Sequence, residues 1–192
     1  MDTIYALSLE LEKKDDVSSS HWNKYHKNFS YNNGKLKGLE GFGTYRKPYY
    51  FFEKPFHRFF QKKYLKLSSK SDFFESIMNH ALNVTKLQNR ALDLDVIRQC
   101  ITIDLLNNNN VFKKSDLAIV IGDGWGIMSS LLLKANLVKR VININLTKTL
   151  LVDMIYIKKA FGEKWFLKNA IFNKRQKGFR KNFCKKNNCI RS

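Results

Sequence analysis

The stretch that decides the fold is DLAIVIGDGWGIMSSLLLKANLVKRVININ, residues 116–145. It begins with a short apolar run, Asp116–Ile121, that ends at a glycine, as a buried parallel strand does. Residues 127–135 then carry apolar side chains at helical spacing, and Val141–Asn145 has the pattern of a second strand. The order strand, helix, strand predicts a parallel α/β sheet, in which residues 117–121 and 141–144 form neighbouring parallel strands.

Three glycines, Gly122, Gly124 and Gly126, occupy the turn between the first strand and the helix. Glycine suits a turn in which the backbone adopts unusual torsions and comes close to a ligand. The start of the helix is expected to offer unpaired N–H groups and the positive end of the helix dipole. The spacing G-x-G-x-G is neither the G-x-G-x-x-G of dinucleotide sites nor a phosphate loop with G-K-[ST]. It favours a cofactor without a pyrophosphate, such as S-adenosylmethionine, and the alternative is a structural turn that holds no ligand.

Two helices are predicted upstream of this stretch. The first covers residues 72–91, with Asp72 as its cap and Glu75 completing a capping box. The second covers residues 93–106, and the asparagine run at residues 107–110 ends it. Both have apolar side chains at helical spacing, so each is expected to bury one face.

One more helix and one weaker element are predicted downstream. Thr147 is expected to cap a helix that Gly162 ends. Residues 170–172 are a candidate third strand.

The chain as a whole is expected to divide into four parts. These are an irregular, aromatic-rich N-terminal region (1–70), a helical pair (71–110), a partial S-adenosylmethionine-binding α/β core (111–165) and a basic tail that is expected to be disordered (166–192). Within the first part, residues 47–66 mix basic and aromatic side chains. Such a composition either stacks nucleic-acid bases or packs as an amphipathic element against a core.

The formal net charge of +19 is concentrated at the C-terminal end. No acidic residue follows Glu163, whereas ten cations do: Lys164, Lys168, Lys174, Arg175, Lys177, Arg180, Lys181, Lys185, Lys186 and Arg191. A tail of this kind binds nucleic acid or anionic lipid by releasing counterions. The alternative is that it reflects a biased codon composition.

Neither a membrane span nor a metal site is predicted. No apolar run approaches the length of a spanning helix, and the N-terminus lacks the features of a secretory signal, so the expected compartment is the cytoplasm. The three cysteines, Cys100, Cys184 and Cys189, are odd in number and widely spaced. They are expected to be reduced thiols, with Cys100 on a buried helix face.

The residues around the glycine turn resemble a known family. The stretch IGDGWGIMSSLLLKANLVKRVININLTKTLLVDMIY (121–156) is similar to the nucleotide-binding core of the bacterial sugar O-methyltransferases, which are often associated with surface-polysaccharide biosynthesis. The segments SSSHWNKYHKNF (18–29), LEGFGTY (39–45) and ALDLDVIRQCITIDLL (91–106) resemble the N-terminal region of that family. The resemblance covers about residues 18–165.

The resemblance implies a fold, a cofactor and a site. The fold is an N-terminal helical and irregular region followed by a partial Rossmann-like parallel sheet of a class I methyltransferase. The donor is S-adenosylmethionine, and the acceptor is the hydroxyl of a sugar or nucleotide sugar. The loop residues Gly122, Asp123, Gly124, Trp125 and Gly126 would lie beside the methionine portion. Asn143 or Asn145, at the end of the second strand, would lie near the ribose and adenine.

Two positions depart from the pattern of many class I methyltransferases. Val120 stands where an acid often precedes the loop, and Asn143 or Asn145 stands where an acid usually accepts hydrogen bonds from both ribose hydroxyls. Asparagine accepts such a bond without carrying a charge, so it should hold the ribose less strongly. Because only the first strands of the family's sheet are recognisable, the chain is expected to be a truncated form with reduced or no activity. The competing interpretation is a basic nucleic-acid-binding protein without catalytic activity.

No catalytic residue can be named from the sequence. The four histidines, His21, His26, His57 and His80, are expected to be surface or packed residues, although His21 could border an acceptor pocket. Three acidic residues, Asp93, Asp95 and Asp104, share one predicted helix, where capping and solvent-facing roles are expected.

Overall fold

The computed structural model describes residues 3–9, 28–32, 35–38, 65–114 and 116–171. In chain order the elements are α1 (Thr3–Ser8), β1 (Ser30–Asn32), β2 (Lys35–Lys37), α2 (Asp72–Leu87), α3 (Leu94–Asn108), a 3₁₀ turn (Val111–Lys114), β3 (Leu117–Ile121), α4 (Ile127–Lys134), β4 (Arg140–Ile144), α5 (Thr147–Phe161) and α6 (Glu163–Asn169). The described part is therefore a mixed α/β structure with six α-helices.

Strands β3 and β4 are parallel and adjacent, as the strand–helix–strand order predicts. Leu117 lies opposite Arg140, and Ile121 lies opposite Ile144. Helix α4 makes the crossover between them. Strands β1 and β2 form a separate antiparallel pair. Among the described residues β3 and β4 have no further neighbouring strand, so the structure shows a two-stranded parallel sheet rather than a complete Rossmann fold.

Within the described part of the chain, packed elements cover one face of the β3–β4 sheet. Ala118, Val120 and Val141 pack against the main hydrophobic cluster with α2, α3, α4 and α5. The opposite face carries five exposed aliphatic side chains, which we call the aliphatic face: Leu117, Ile119, Ile121, Ile142 and Ile144. The prediction that residues 116–121 form a buried strand is therefore wrong for this face.

The N-cap of helix α2 lies one residue earlier than predicted. Ser71 is extended, and its side chain accepts a hydrogen bond from the backbone N–H of Phe74 at 3.2 Å. Asp72 is the first helical residue, so the predicted capping box of Asp72 and Glu75 is wrong. The helix ends at Leu87, earlier than predicted.

Helix α3 is capped as predicted. Asp93 accepts hydrogen bonds from the backbone N–H groups of Asp95 (3.1 Å) and Val96 (3.2 Å). Cys100 is fully buried on this helix, and burial raises the pKa of its thiol to about 12. A thiol that stays protonated is a weak nucleophile, and the predicted position of Cys100 on a buried helix face is confirmed. Cys184 and Cys189 lie outside the described residues.

The ends of α5 correct one prediction and confirm another. Leu146 is the N-cap without a side-chain hydrogen bond to the helix, so the predicted cap at Thr147 is wrong. Gly162, with φ of 85°, ends the helix as predicted. Ala170 follows α6 as its C-cap, and neither Ala170 nor Ile171 belongs to a strand. Phe172, the last residue of the candidate third strand, lies outside the described residues.

Two hydrophobic clusters hold these elements together. The larger joins α2 and α3 to the β3–α4–β4 unit and α5. The smaller joins α1, α5 and α6 through Ile4, Leu7, Leu151, Ile157 and Phe166. No helix in the described ranges is both long enough and apolar enough to cross a membrane. Residues 166–171 of the predicted basic tail are described, and 166–169 belong to α6, so the expected disorder is wrong there. Residues 172–192 lie outside the described residues, as do residues 47–64.

Candidate functional site

The turn after β3 has the backbone that only glycine adopts without strain. Gly122, Gly124 and Gly126 have φ of 73°, 87° and 68°. All three lie in the left-handed region, which costs other L-residues about 1–2 kcal/mol. The N–H of Gly122 donates to the carbonyl of Ile144 at 2.9 Å, so the turn is joined to the end of β4. The three glycines are therefore required locally, whether or not the turn holds a ligand.

The three glycines differ in what surrounds them. A Cβ atom added at Gly122 or Gly124 would meet nothing within 4 Å. A Cβ atom at Gly126 would lie 2.7 Å from the carbonyl oxygen of Asp153 and 2.7 Å from Cγ1 of Ile157. The first two glycines thus border open space at the end of β3, and the third lets the turn pack closely on α5.

Asp123 is turned inward and caps α4. Its Oδ1 accepts from the N–H of Met128 at 2.9 Å, and its Oδ2 accepts from the N–H of Ser129 at 2.8 Å. The expectation of unpaired N–H groups at this helix start is therefore wrong for these two donors. Burial raises the pKa of Asp123, and hydrogen bonds from Ser129 and its neighbours oppose that rise. A ligand anion at this helix end would have to displace a carboxylate of the chain itself.

Trp125 anchors the turn in the core. Its side chain is buried and meets the ring of Tyr156 edge to face, with centroids 6.1 Å apart. The guanidinium of Arg90, also buried, lies 5.1 Å from the Trp125 ring and 4.4 Å from the Tyr156 ring, and it donates to the Tyr156 hydroxyl at 2.6 Å. Trp125 therefore offers its indole to neighbouring core residues rather than to the open space above the turn.

Asn143 lies in β4 and Asn145 lies just after it, and both form hydrogen bonds with side chains of the helices. Asn143 donates from Nδ2 to the hydroxyl of Ser129 at 3.3 Å, and its buried Oδ1 has no hydrogen-bond partner within the described structure. Asn145 donates from Nδ2 to Oδ2 of Asp153 at 2.8 Å, and its Oδ1 accepts from the N–H of Leu146 at 3.0 Å. Neither amide, as placed, presents a free acceptor to the open space.

A second buried carboxylate supports the turn from α5. Oδ1 of Asp153 accepts from the N–H of Gly126 at 3.0 Å. Burial raises the pKa of Asp153 well above its usual range, and the nearby charge of Asp123 raises it further. Sequence reasoning missed this residue. The signal was an acid at the helical spacing of a buried face, four residues after Thr149 and four before Ile157.

The remaining sequence candidates do not gather at this turn. Asp104 is buried and accepts from both the N–H and the hydroxyl of Ser69, each at 2.7 Å, so the expected solvent-facing role is wrong for it. His80 lies on α2, and the other three histidines lie outside the described residues. No group of three metal-ligating side chains occurs within the described ranges.

A groove of about 370 Å³ runs along the outer edge of β3. Its walls are the whole of β3 with Gly122 and Asp123 at one end, residues of α3 and the 3₁₀ turn, including Leu106 and Phe112, and Met128, Leu132 and Val138 on the side of α4. The groove therefore reaches from the glycine turn along the strand edge that β4 does not occupy.

Comparisons of the chain with protein-family models, with curated proteins and with solved structures find no match. The functional interpretation therefore depends on the site itself.

Proposed function

We propose that the turn at Gly122–Gly126 binds S-adenosylmethionine and that the protein takes part in methyl transfer to the hydroxyl of a sugar or nucleotide sugar. The observation that supports this proposal is the open space over Gly122 and Gly124, at the carboxyl end of a parallel strand. In open α/β sheets ligands bind at these strand ends, and glycine lets the backbone approach them closely. The choice of sugar follows only from the sequence resemblance.

The residues fit one end of the cofactor better than the other. The bare backbone at Gly122 and Gly124 leaves room for the methionine portion. Asn143 and Asn145 are held by Ser129 and Asp153, so they do not offer the ribose the acceptors expected from the sequence. We therefore expect weak cofactor binding. S-adenosylmethionine, when bound, supplies a methyl group on a sulfonium, and the chain's task is to align it with the acceptor.

Replacing Gly124 with valine is expected to abolish binding of S-adenosylhomocysteine. A branched side chain would fill the open space over the turn, and it would also strain a backbone at φ of 87°. Isothermal titration of the full chain with S-adenosylhomocysteine measures the effect.

Asn136→Val is the control for backbone strain. Asn136 is exposed and has φ of 54°, and it follows the end of α4 that is opposite to the turn. We expect it to retain binding. Unchanged affinity in Gly124→Val would show that the turn is structural only.

Nucleic-acid binding is the second candidate function. It is favoured by the net charge of +19 and by the ten cations that follow Glu163 without any acid. We expect single-stranded RNA to bind with an affinity that falls steeply with salt, with a slope of about −0.7 for each phosphate neutralised. Fluorescence anisotropy across a salt series measures it. Salt-independent binding would contradict this candidate, and steep salt-dependent binding without any response to S-adenosylhomocysteine would contradict the first.

A further inference from the structure

The outer edge of β3 presents a regular row of backbone groups. The N–H of Gly122 donates to Ile144, and the carbonyl of Asp116 accepts from Arg140, so the even-numbered residues of this segment face β4. Because neighbouring residues of a strand point in opposite directions, the N–H and C=O groups of Leu117, Ile119 and Ile121 face the groove. Within the described structure these groups have no hydrogen-bond partner.

The groove runs along the full length of a strand. It follows all five residues of β3, and its far wall is the apolar surface of Leu106, Val111 and Phe112. A strand pairs at about 4.8 Å from its neighbour, whereas a helix is about 10 Å across and has no free backbone groups to offer. The occupant that satisfies the edge is therefore an extended strand.

The aliphatic face lies beside this edge, and its apolar side chains are exposed to water. Ile119 is 59% exposed and Ile121 is 76% exposed, although parallel sheets are normally covered on both faces. A contiguous exposed apolar patch of this kind marks an interaction site. A polypeptide that continues from the added strand across the sheet would cover these side chains.

A second copy of this chain is a poor occupant. Two β3 edges paired about a two-fold axis would leave both aliphatic faces exposed, and each copy carries a net charge of +19. At the border of the aliphatic face, Arg140 is an exposed cation at the start of β4, whereas the neighbouring Lys139 is paired with Asp116 at 3.0 Å. Charge complementarity therefore favours an acidic partner.

We propose that the outer edge of β3 and the aliphatic face together form a docking surface for an acidic polypeptide, which adds an extended apolar strand to β3. Backbone hydrogen bonds to Leu117, Ile119 and Ile121 hold the strand, and an acidic residue in the segment that crosses the aliphatic face meets Arg140. Strand addition of this kind takes affinity from the main chain and specificity from the alternating side chains. The surface extends along β3, and Gly122 and Asp123 border the end of it that is nearest the turn.

The probe is a synthetic peptide of alternating valine and threonine with glutamates at both ends. Amide hydrogen exchange of the ¹⁵N-labelled full chain is measured with and without it. We expect added protection at Leu117, Ile119 and Ile121 and no change at Ala118 and Val120, whose N–H groups already face β4. No added protection at the three odd-numbered amides, or protection that appears without peptide as protein concentration rises, overturns the proposal.

Two variants test the hydrogen bonds and the charge separately. Ile119→Pro removes the central outward N–H without removing a bond to β4, a position where strands tolerate proline. We expect peptide affinity to fall about tenfold, which corresponds to about 1.4 kcal/mol. Arg140→Glu alters only an exposed side chain, and we expect it to weaken the glutamate peptide and favour a lysine-flanked version. Equal binding of both peptides by the unaltered chain contradicts an acidic partner.

Discussion

Replacing Gly126 with alanine is expected to lower the free energy of unfolding by about 3 kcal/mol. Part of the cost is the backbone, because φ of 68° is unfavourable for a residue with a Cβ atom. The rest is steric, since that atom would lie 2.7 Å from both the Asp153 carbonyl oxygen and Cγ1 of Ile157. The carbonyl belongs to the middle of α5 and cannot retreat without disturbing the helix. Urea unfolding followed by circular dichroism measures the loss.

Gly122→Ala is the matched comparison. Its φ of 73° imposes the same kind of backbone strain, but a Cβ atom there meets nothing within 4 Å. We expect it to cost only the backbone part, about 1–2 kcal/mol. If the two variants were equally unstable, the close approach of the turn to α5 would contribute nothing, and the assigned role of Gly126 would be wrong.

The sequence predicted the elements of this fold where local pattern decides them. Apolar runs predicted β3 and β4. Their parallel pairing was predicted from the helix between them, because a helical connection between two strands is typical of parallel neighbours. Asp93 begins α3 because its side chain caps the helix, and Gly162 ends α5 because glycine adopts a positive φ. Ser71 was missed as the cap of α2 because Asp72 beside it has a similar capping preference, and only the backbone torsions separate the two.

Properties that depend on distant residues were not predictable in this way. The run LAIVI indicated a strand buried on both faces, but the packed helices all lie on one side of the sheet, so the side chains at alternate positions are exposed. Asp104 looked like a surface residue of its helix, and its partner Ser69 lies 35 positions earlier in the chain. A periodic pattern identifies which residues share a face without identifying what covers it.

In the candidate site too, local features were predictable from the sequence and long-range contacts were not. The need for three glycines could be predicted, because a tight turn between a strand and a helix contains backbone torsions that glycine adopts readily. The inward turn of Asp123 onto the N–H groups of Met128 and Ser129 was not anticipated. The buried setting of Trp125 could not be predicted, since it depends on Arg90 after α2 and on Tyr156 of α5. As a result, two residues expected to line a ligand pocket are instead part of the support beneath the turn.

Raising the pH is expected to destabilise the protein through the two buried carboxylates beneath the turn. Burial raises the pKa of Asp153 well above its usual value of 3.8, and the charge of Asp123 adds to that rise. The folded state therefore holds a proton that the unfolded state has already released. Between 3.8 and the raised pKa the folded protein binds more protons, so the free energy of unfolding falls as pH rises through that window. Below 3.8 both states are protonated, and this contribution is constant.

Asp153→Asn is expected to remove the part of this slope that Asp153 contributes. One proton changes the free energy of unfolding by at most about 1.4 kcal/mol per pH unit. The slope is a better measure than the absolute stability, because a new amide N–H₂ would meet Nδ2 of Asn145, which now donates to Oδ2 of Asp153 at 2.8 Å. Urea unfolding between pH 4.5 and 7.5 gives the free energies, and the difference between the unaltered chain and the variant isolates Asp153.

Asp95→Asn provides the control for loss of one carboxyl group. Asp95 is an exposed residue of α3 paired with Arg98, far in the chain from the turn, and this variant should keep the slope of the unaltered protein. The physical claim is that Asp153 carries a proton in the folded state because water cannot reach it and Asp123 lies nearby. A parallel pH dependence of the unaltered chain and Asp153→Asn would mean that Asp153 is ionised when folded. The N–H of Gly126 and the amide of Asn145 would then be sufficient to stabilise its charge beneath the turn.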